Sequence, residues 1–469
     1  MKQIKKFYYS FLLILFAMAA NGQASPAAFK LPSYQKTVLK NGLTVYVMEQ
    51  HEVPMITVSA IFPAGAIYDD ASKSGLATMT ASALMLGTKN KTKSELEEEL
   101  DFIGATVSTY ASKESAGLSA KFATKDKDKV FNLIKEILLT PSFNAVEFEK
   151  EKKLLLSQLE QAKESPRSVI SDYFDAATYG NHVYANPLNG RMATVSKLTA
   201  ADAQNFYKSN YIPNGSAIAV VGDFNTKEMQ AKLANLFGTW AKGTPPANVA
   251  SKPIPSISEA KVVLVNKGDA RETTFYIGGP GVPRSNPDYV AMEVVNTVFG
   301  GRFTSWLNNE LRVNTGLTYG ASSGFSRLKN AGNFRISTFT ATKNTEAAID
   351  KSLEVLHRLH TSGIEEQTLT SAKNYVKGQF PPRYETAGQL AGLLTQMFWY
   401  GFDESFINNF QSNVDGLTVE KAKTIIAKYF PMDKLQFIMV GKGDDIRKIA
   451  SKYGKVTEVD IKGETTKGF

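Results

Sequence analysis

Apolar and polar positions alternate early in the chain. TVLK (37–40) and LTVYVM (43–48) read as two strands of a hairpin, and Asn41-Gly42 between them is a two-residue turn signal. Residues 56–62 predict a further strand, ended by Pro63-Ala64-Gly65. The period then lengthens. Over 75–88, GLATMTASALMLGT predicts one short helix, with small residues on one face and Leu76, Met79, Ala83 and Leu86 on another. Thr92 and Glu95 have the spacing of a capping box and open a second helix that runs to Phe102. Residues 105–123 predict two strands, and helices follow near 127–138, 145–163 and 166–178.

The same order of elements returns later. LTAADAQNFYKSNYIPNGSAIAVVG (198–222) and LTVEKAKTIIAKYFPMDKLQFIMVG (417–441) have equal length and lie 219 residues apart. Ala203 and Ala422 share an offset, Pro213 and Pro431 end the helix in each copy, and further helices follow near 226–237 and 444–453. Equal spacing over helix, turn, strand and helix predicts an internal duplication. The stretch 242–257, KGTPPANVASKPIPSI, is rich in Pro, Ala and Ser and reads as a linker. Beyond it, strands are expected at 260–266 and 272–278 and a helix near 287–298, ended by Gly300-Gly301. The expected fold is α+β: two homologous halves, 30–241 and 258–469, each a mainly antiparallel sheet packed by helices.

Composition adds an address. Lys2, Lys5 and Lys6 precede an apolar stretch over 7–20, and small residues offer a cleavage site after Ala24, the layout of a signal peptide over 1–24. An exported protein of the bacterial periplasm is expected. The net charge of +9 becomes +6 once those three lysines are removed, and no compact basic run points to nucleic acid. The absence of cysteine excludes disulfides and a thiolate nucleophile.

Candidate chemistry is sparse. His51 follows a strand without an obvious partner, His182 lies in a loop, and His357 and His360 share a helix, where a metal pair competes with a solvent-facing helix end. Gly278-Gly279-Pro280-Gly281 reads as a turn, and neither a Walker A sequence nor a Gly-x-Ser-x-Gly elbow is present.

The duplicated layout and motif order resemble the pitrilysin/insulinase family of zinc peptidases over about residues 33–455, which implies an insulinase-like, LuxS/metallohydrolase-like duplication. The family helix reads G-x-A-H-x-x-E-H-x-x-x-x-G-T. Gly75, Ala77, Gly87 and Thr88 keep that frame, but Thr78 and Ser82 stand where the resemblance places two zinc-binding histidines, and Ala81 where it places the general base. The third ligand position falls on Gln158, with Glu160 two residues away and the motif's other glutamate kept as Glu151. Neutral hydroxyls are poor zinc ligands and alanine accepts no proton. The segment L-R-x-x-x-G-L-x-Y is retained, giving Arg312 and Tyr319. The resemblance implies that this pair holds substrate across a chamber shared with a second subunit. It therefore implies a non-catalytic, peptide-binding subunit without a metal of its own, paired with a zinc-bearing His-x-x-Glu-His partner. A scaffold or peptide-binding pseudoenzyme is the alternative. A peptidase built on His182 or on His357 and His360 is a third expectation.

Overall fold

The computed structural model describes residues 29–463. The expected leader lies outside them, and among the described residues no helix is long and apolar enough to cross a membrane.

Two six-stranded sheets form the scaffold. The first contains β1 (Gln35–Val38), β2 (Thr44–Glu49), β3 (Met55–Phe62), β4 (Thr106–Ala111), β5 (Ala116–Ala123) and β6 (Ala217–Gly222), in the order β1-β2-β6-β3-β5-β4. The second contains β7 (Lys261–Asn266), β8 (Glu272–Gly281), β9 (Ala321–Arg327), β10 (Gly332–Ala341), β11 (Gln436–Gly441) and β12 (Lys455–Asp460), in the order β12-β7-β11-β8-β10-β9. Five strands correspond one to one. Only the outer strand differs: β1 precedes β2 and pairs with it antiparallel, whereas β12 follows β11 and runs parallel to β7. Among the corresponding strands, the β2–β6 and β7–β11 pairs are parallel and the remaining pairs are antiparallel.

The repeat is reproduced residue for residue where its signal was strongest. The helices Ala200–Asn210 and Val419–Tyr429, and the strands β6 and β11, start and stop 219 positions apart. Thr199 and Thr418 each cap their helix, accepting from the backbone N–H three residues on. Ala203 and Ala422 are both fully buried, which explains the small residue in each copy.

Each half lends a helix to the other. Alternate residues of a strand face opposite sides of its sheet. Val45 and Val47 pack against helices of their own half, but Tyr46 and Met48 join Leu390, Leu393, Leu394 and Met397 of the second half's Ala387–Tyr400 helix. Ser59 Oγ and Thr395 Oγ1, 3.1 Å apart, meet in the same interface. Reciprocally, Ile170, Tyr173 and Phe174 of the first half's Pro166–Tyr179 helix cover Val263, Val265, Ile438 and Val440 of the second sheet. Burying each large apolar side chain is worth roughly 1.5–3 kcal/mol, so the exchange locks the halves together. The stretch 242–257 is also held: Ala250 is buried beside Tyr179 and Tyr184, and Gly243 exchanges two hydrogen bonds with Asn214.

The halves meet a second time at equivalent hairpin turns. The β4–β5 turn presents Glu114, and the β9–β10 turn presents Lys329. The buried Glu114 carboxylate accepts from the Lys329 backbone N–H at 2.9 and 3.0 Å and from the Tyr184 hydroxyl at 2.5 Å.

Three local expectations change. The helix expected over 75–88 spans only Leu76–Ala83. The backbone then tightens, with Met85 and Leu86 N–H groups bonding the carbonyls three residues back, and bridges from Gly87 to Thr92 and from Thr88 to Pro141 draw the chain away. The first hairpin has a wider turn than Asn41-Gly42 suggested: Leu39 N–H bonds the Leu43 carbonyl around a Gly42 at φ +87°, and the buried Asn41 side chain donates to the carbonyls of Phe237 and Trp240. Gly278–Gly281 is strand rather than turn: β8 runs through it, and a Cβ at Gly278 would lie 1.9 Å from the Phe334 carbonyl oxygen.

Candidate functional site

The Leu76–Ala83 helix begins at Gly75, whose φ of +97° suits glycine. Asp69 closes the helix start: its two carboxylate oxygens accept from Gly75 N and Ala77 N, each at 2.8 Å. Burial pushes this carboxyl up to about 7, against the pull of the Gly75, Ala77 and Leu76 N–H groups. Its folded pKa therefore lies above the ordinary value of about 4. The fold holds the proton where the unfolded chain has already lost it. The contribution of this group to stability is full below about pH 4 and falls as pH rises towards 7. Urea midpoints measured across that range should fall less steeply in Asp69→Asn than in the wild type.

On the core side of the helix, Thr80 is fully buried, and among the described residues its hydroxyl has no partner. Thr80→Val keeps the shape and removes an unmatched polar atom. It should stabilise the chain by about 1 kcal/mol, read as a higher urea midpoint.

The opposite face carries the positions that the resemblance singled out. Thr78 and Ser82, one helical turn apart, are both half-buried on one face. The Thr78 hydroxyl donates to the Leu188 carbonyl at 2.8 Å. Ala81 is buried, and its backbone carbonyl accepts from Thr109 Oγ1 at 2.7 Å. Gln158 lies exposed on the Ala145–Ala162 helix. Glu160 is also exposed and pairs with Lys163 at 3.0 Å, and Glu151 is half-buried on the same helix. Among the described residues no three His, Cys, Asp or Glu side chains are grouped to hold a metal ion. Two hydroxyls, one of them already donating to a carbonyl, together with an alanine and a neutral amide, do not fit zinc.

The histidines do not come together either. His51 has two partners that its sequence surroundings did not reveal: Nδ1 lies 2.7 Å from Asp223 and Nε2 lies 2.8 Å from Glu49. Hydrogen bonds to the Asp223 and Glu49 carboxylates raise its pKa. His182 is buried, with Nε2 donating to the Lys252 carbonyl and Nδ1 accepting from Tyr184 N–H, and burial lowers its pKa. His360 donates to the Phe430 carbonyl at 2.8 Å, while His357 is exposed. His357 and His360 therefore do not face one ligand.

In the second half, Arg312 sits on a π-helical turn, Asn309–Asn314, a rare form often found at functional sites. Its neighbour Leu311 is fully buried and anchors the turn. Arg312 is exposed, and among the described residues its guanidinium makes no hydrogen bond or ion pair. Its one ring contact is Phe303, with Cζ 4.8 Å from the centroid. Tyr319 is 80% exposed, in the loop before β9 rather than in a strand. That loop is held: Leu317 N–H donates to Leu311, and the Thr318 hydroxyl donates to Phe339 at 2.5 Å. Two large polar-tipped side chains are thus presented to solvent from a fixed backbone. Phe303 was not a sequence candidate; periodicity gives no sign that this aromatic is left outside the core.

Comparison with known proteins gives two matches to family models. Residues 44–191 match Insulinase (Peptidase family M16), and residues 197–376 match Peptidase M16 inactive domain. An uncharacterized zinc protease of Rickettsia felis is 23% identical over 428 residues, 91% of this chain and 96% of that protein. Subunit 1 of the bovine mitochondrial cytochrome b-c1 complex is 25% identical over 280 residues, 58% of this chain and 56% of the subunit. The crystal structure of a peptidase M16 inactive domain from Pseudomonas fluorescens superposes with a TM-score of 0.82 at 25% identity, covering 87% of this chain and 98% of that one.

Proposed function

Because the chain belongs to the insulinase family, peptidase family M16, we propose that it is a non-catalytic member that binds unfolded peptide and completes the active site of a zinc-bearing partner. The observation that carries the reading is the donor set of the Leu76–Ala83 helix. Thr78, Ala81 and Ser82 supply neither a nitrogen ligand nor a base, and Gln158 supplies no charge. The fold around them is intact. The zinc and its activated water would come from a second chain with His-x-x-Glu-His.

This chain's own contribution is binding and electrostatics. Arg312 is a permanent cation with forked donors, and Tyr319 adds a neutral one. Both face solvent, free to take a peptide carbonyl as negative charge develops on it. Export to the bacterial periplasm belongs to the same proposal and rests on the sequence of residues 1–24.

A second reading, a scaffold without proteolytic role, draws support from the likeness to a cytochrome b-c1 complex subunit. Sedimentation of the mature chain mixed with an exported His-x-x-Glu-His homologue from the same organism separates the two. A stable heterodimer is expected. Failure to associate, with a membrane or secretion protein recovered as the stable partner instead, favours the scaffold. Stoichiometric zinc in the isolated chain, with chelator-sensitive hydrolysis, would sink both.

A further inference from the structure

Phe303 is 66% exposed, yet its backbone is fixed. Its carbonyl accepts from Asn308 Nδ2 at 2.6 Å, and the short helix that follows is capped by Ser305. A large ring left mostly in water adds little to the core. What it meets is the Arg312 guanidinium.

Two neighbouring arginines are held differently. Arg358 pairs with Glu310 at 2.8 Å and lies 4.6 Å over Trp306. Arg302 donates to Ser371 Oγ at 3.1 Å. Each uses an N–H donor inside the protein, whereas among the described residues Arg312 meets only the ring. An aromatic face attracts a cation without consuming its hydrogen-bond donors. A long side chain that is already stacked also loses less freedom when it binds.

We propose that Phe303 is a positioning residue for Arg312: its ring fixes the plane of the guanidinium and leaves all the donors for a peptide backbone. The inference rests on Arg312 binding peptide.

The test titrates the mature chain and its variants against fluorescein-labelled unfolded casein, with fluorescence anisotropy giving Kd. Phe303→Ala should weaken binding about two- to five-fold, the strength of an exposed cation–π contact. Phe303→Leu should do the same, because it keeps apolar bulk but has no ring face. Phe303→Tyr should bind like the wild type, and Phe303→Ala should add nothing in an Arg312→Ala background. Urea midpoints should not move. Wild-type affinity in Phe303→Leu, or an equal loss with and without Arg312, overturns the inference while leaving the function standing. An unchanged Kd in Arg312→Ala, or no binding by the wild type, overturns both.

Discussion

Arg312→Ala should lower kcat/KM of the assembled peptidase about 10²–10³-fold, the usual effect of removing one donor aimed at developing negative charge. The expectation follows from geometry. The π-helical turn lifts Arg312 off the buried Leu311, and no carboxylate among the described residues neutralises it. Its charge is therefore available to a ligand. Because the side chain is exposed and touches only the exposed Phe303 ring, the urea midpoint of the variant should stay within about 0.5 kcal/mol of the wild type. A fall in kcat with little change in KM would place the interaction in the transition state, and a rise in KM alone would place it in ground-state binding. Arg312→Lys keeps the charge but loses the fork, so it should recover only part of the rate.

Glu114→Ala carries the largest expected loss of stability, about 2–4 kcal/mol, because it leaves two buried donors without their acceptor. The carboxylate joins the two hairpin turns across the half–half boundary. Its removal leaves the Lys329 N–H and the Tyr184 hydroxyl short of a partner. Burial raises the pKa of this carboxyl, while Tyr184 and the Lys329 N–H pull it down. Urea unfolding followed by circular dichroism should show the midpoint drop. Limited proteolysis should find new cleavage in the turns at 112–115 and 328–331. A midpoint within about 1 kcal/mol of the wild type would mean that the exchanged helices alone hold the halves.

The repeated core of the fold was open to sequence reasoning. Ala203 and Ala422 mark the repeated helix at one offset, and β6 and β11 announce themselves as apolar runs closed by glycine at the same offset. The helix proposed as a vacated zinc site was legible for a different reason: Gly75, Ala77, Gly87 and Thr88 keep the family frame, in which each expected zinc ligand and the base has a definite position. The helix exchange was hidden. Tyr46 and Met48 make β2 apolar on both faces, but nothing in that pattern says that the helix covering them comes from over 300 residues later. Glu114 and Lys329 were hidden likewise, since each sits in a polar turn that reads as surface until the turns meet. His51's partner Asp223 was missed because it is distant in sequence and is brought alongside by the parallel β2–β6 pairing, in which Glu49 lies opposite Gly222. The stack of Phe303 on Arg312 depends on a π-helical turn that the sequence pattern does not distinguish from an ordinary helix.

The central claim is that this chain contributes to catalysis without holding the metal. Its most direct test is the rate of fluorogenic-peptide cleavage by the purified His-x-x-Glu-His partner as this chain is added. A low rate for the partner alone, a rise that saturates at one equivalent of this chain, and little rise with Arg312→Ala are expected. A partner that is fully active alone, and unchanged by either chain, would contradict the claim.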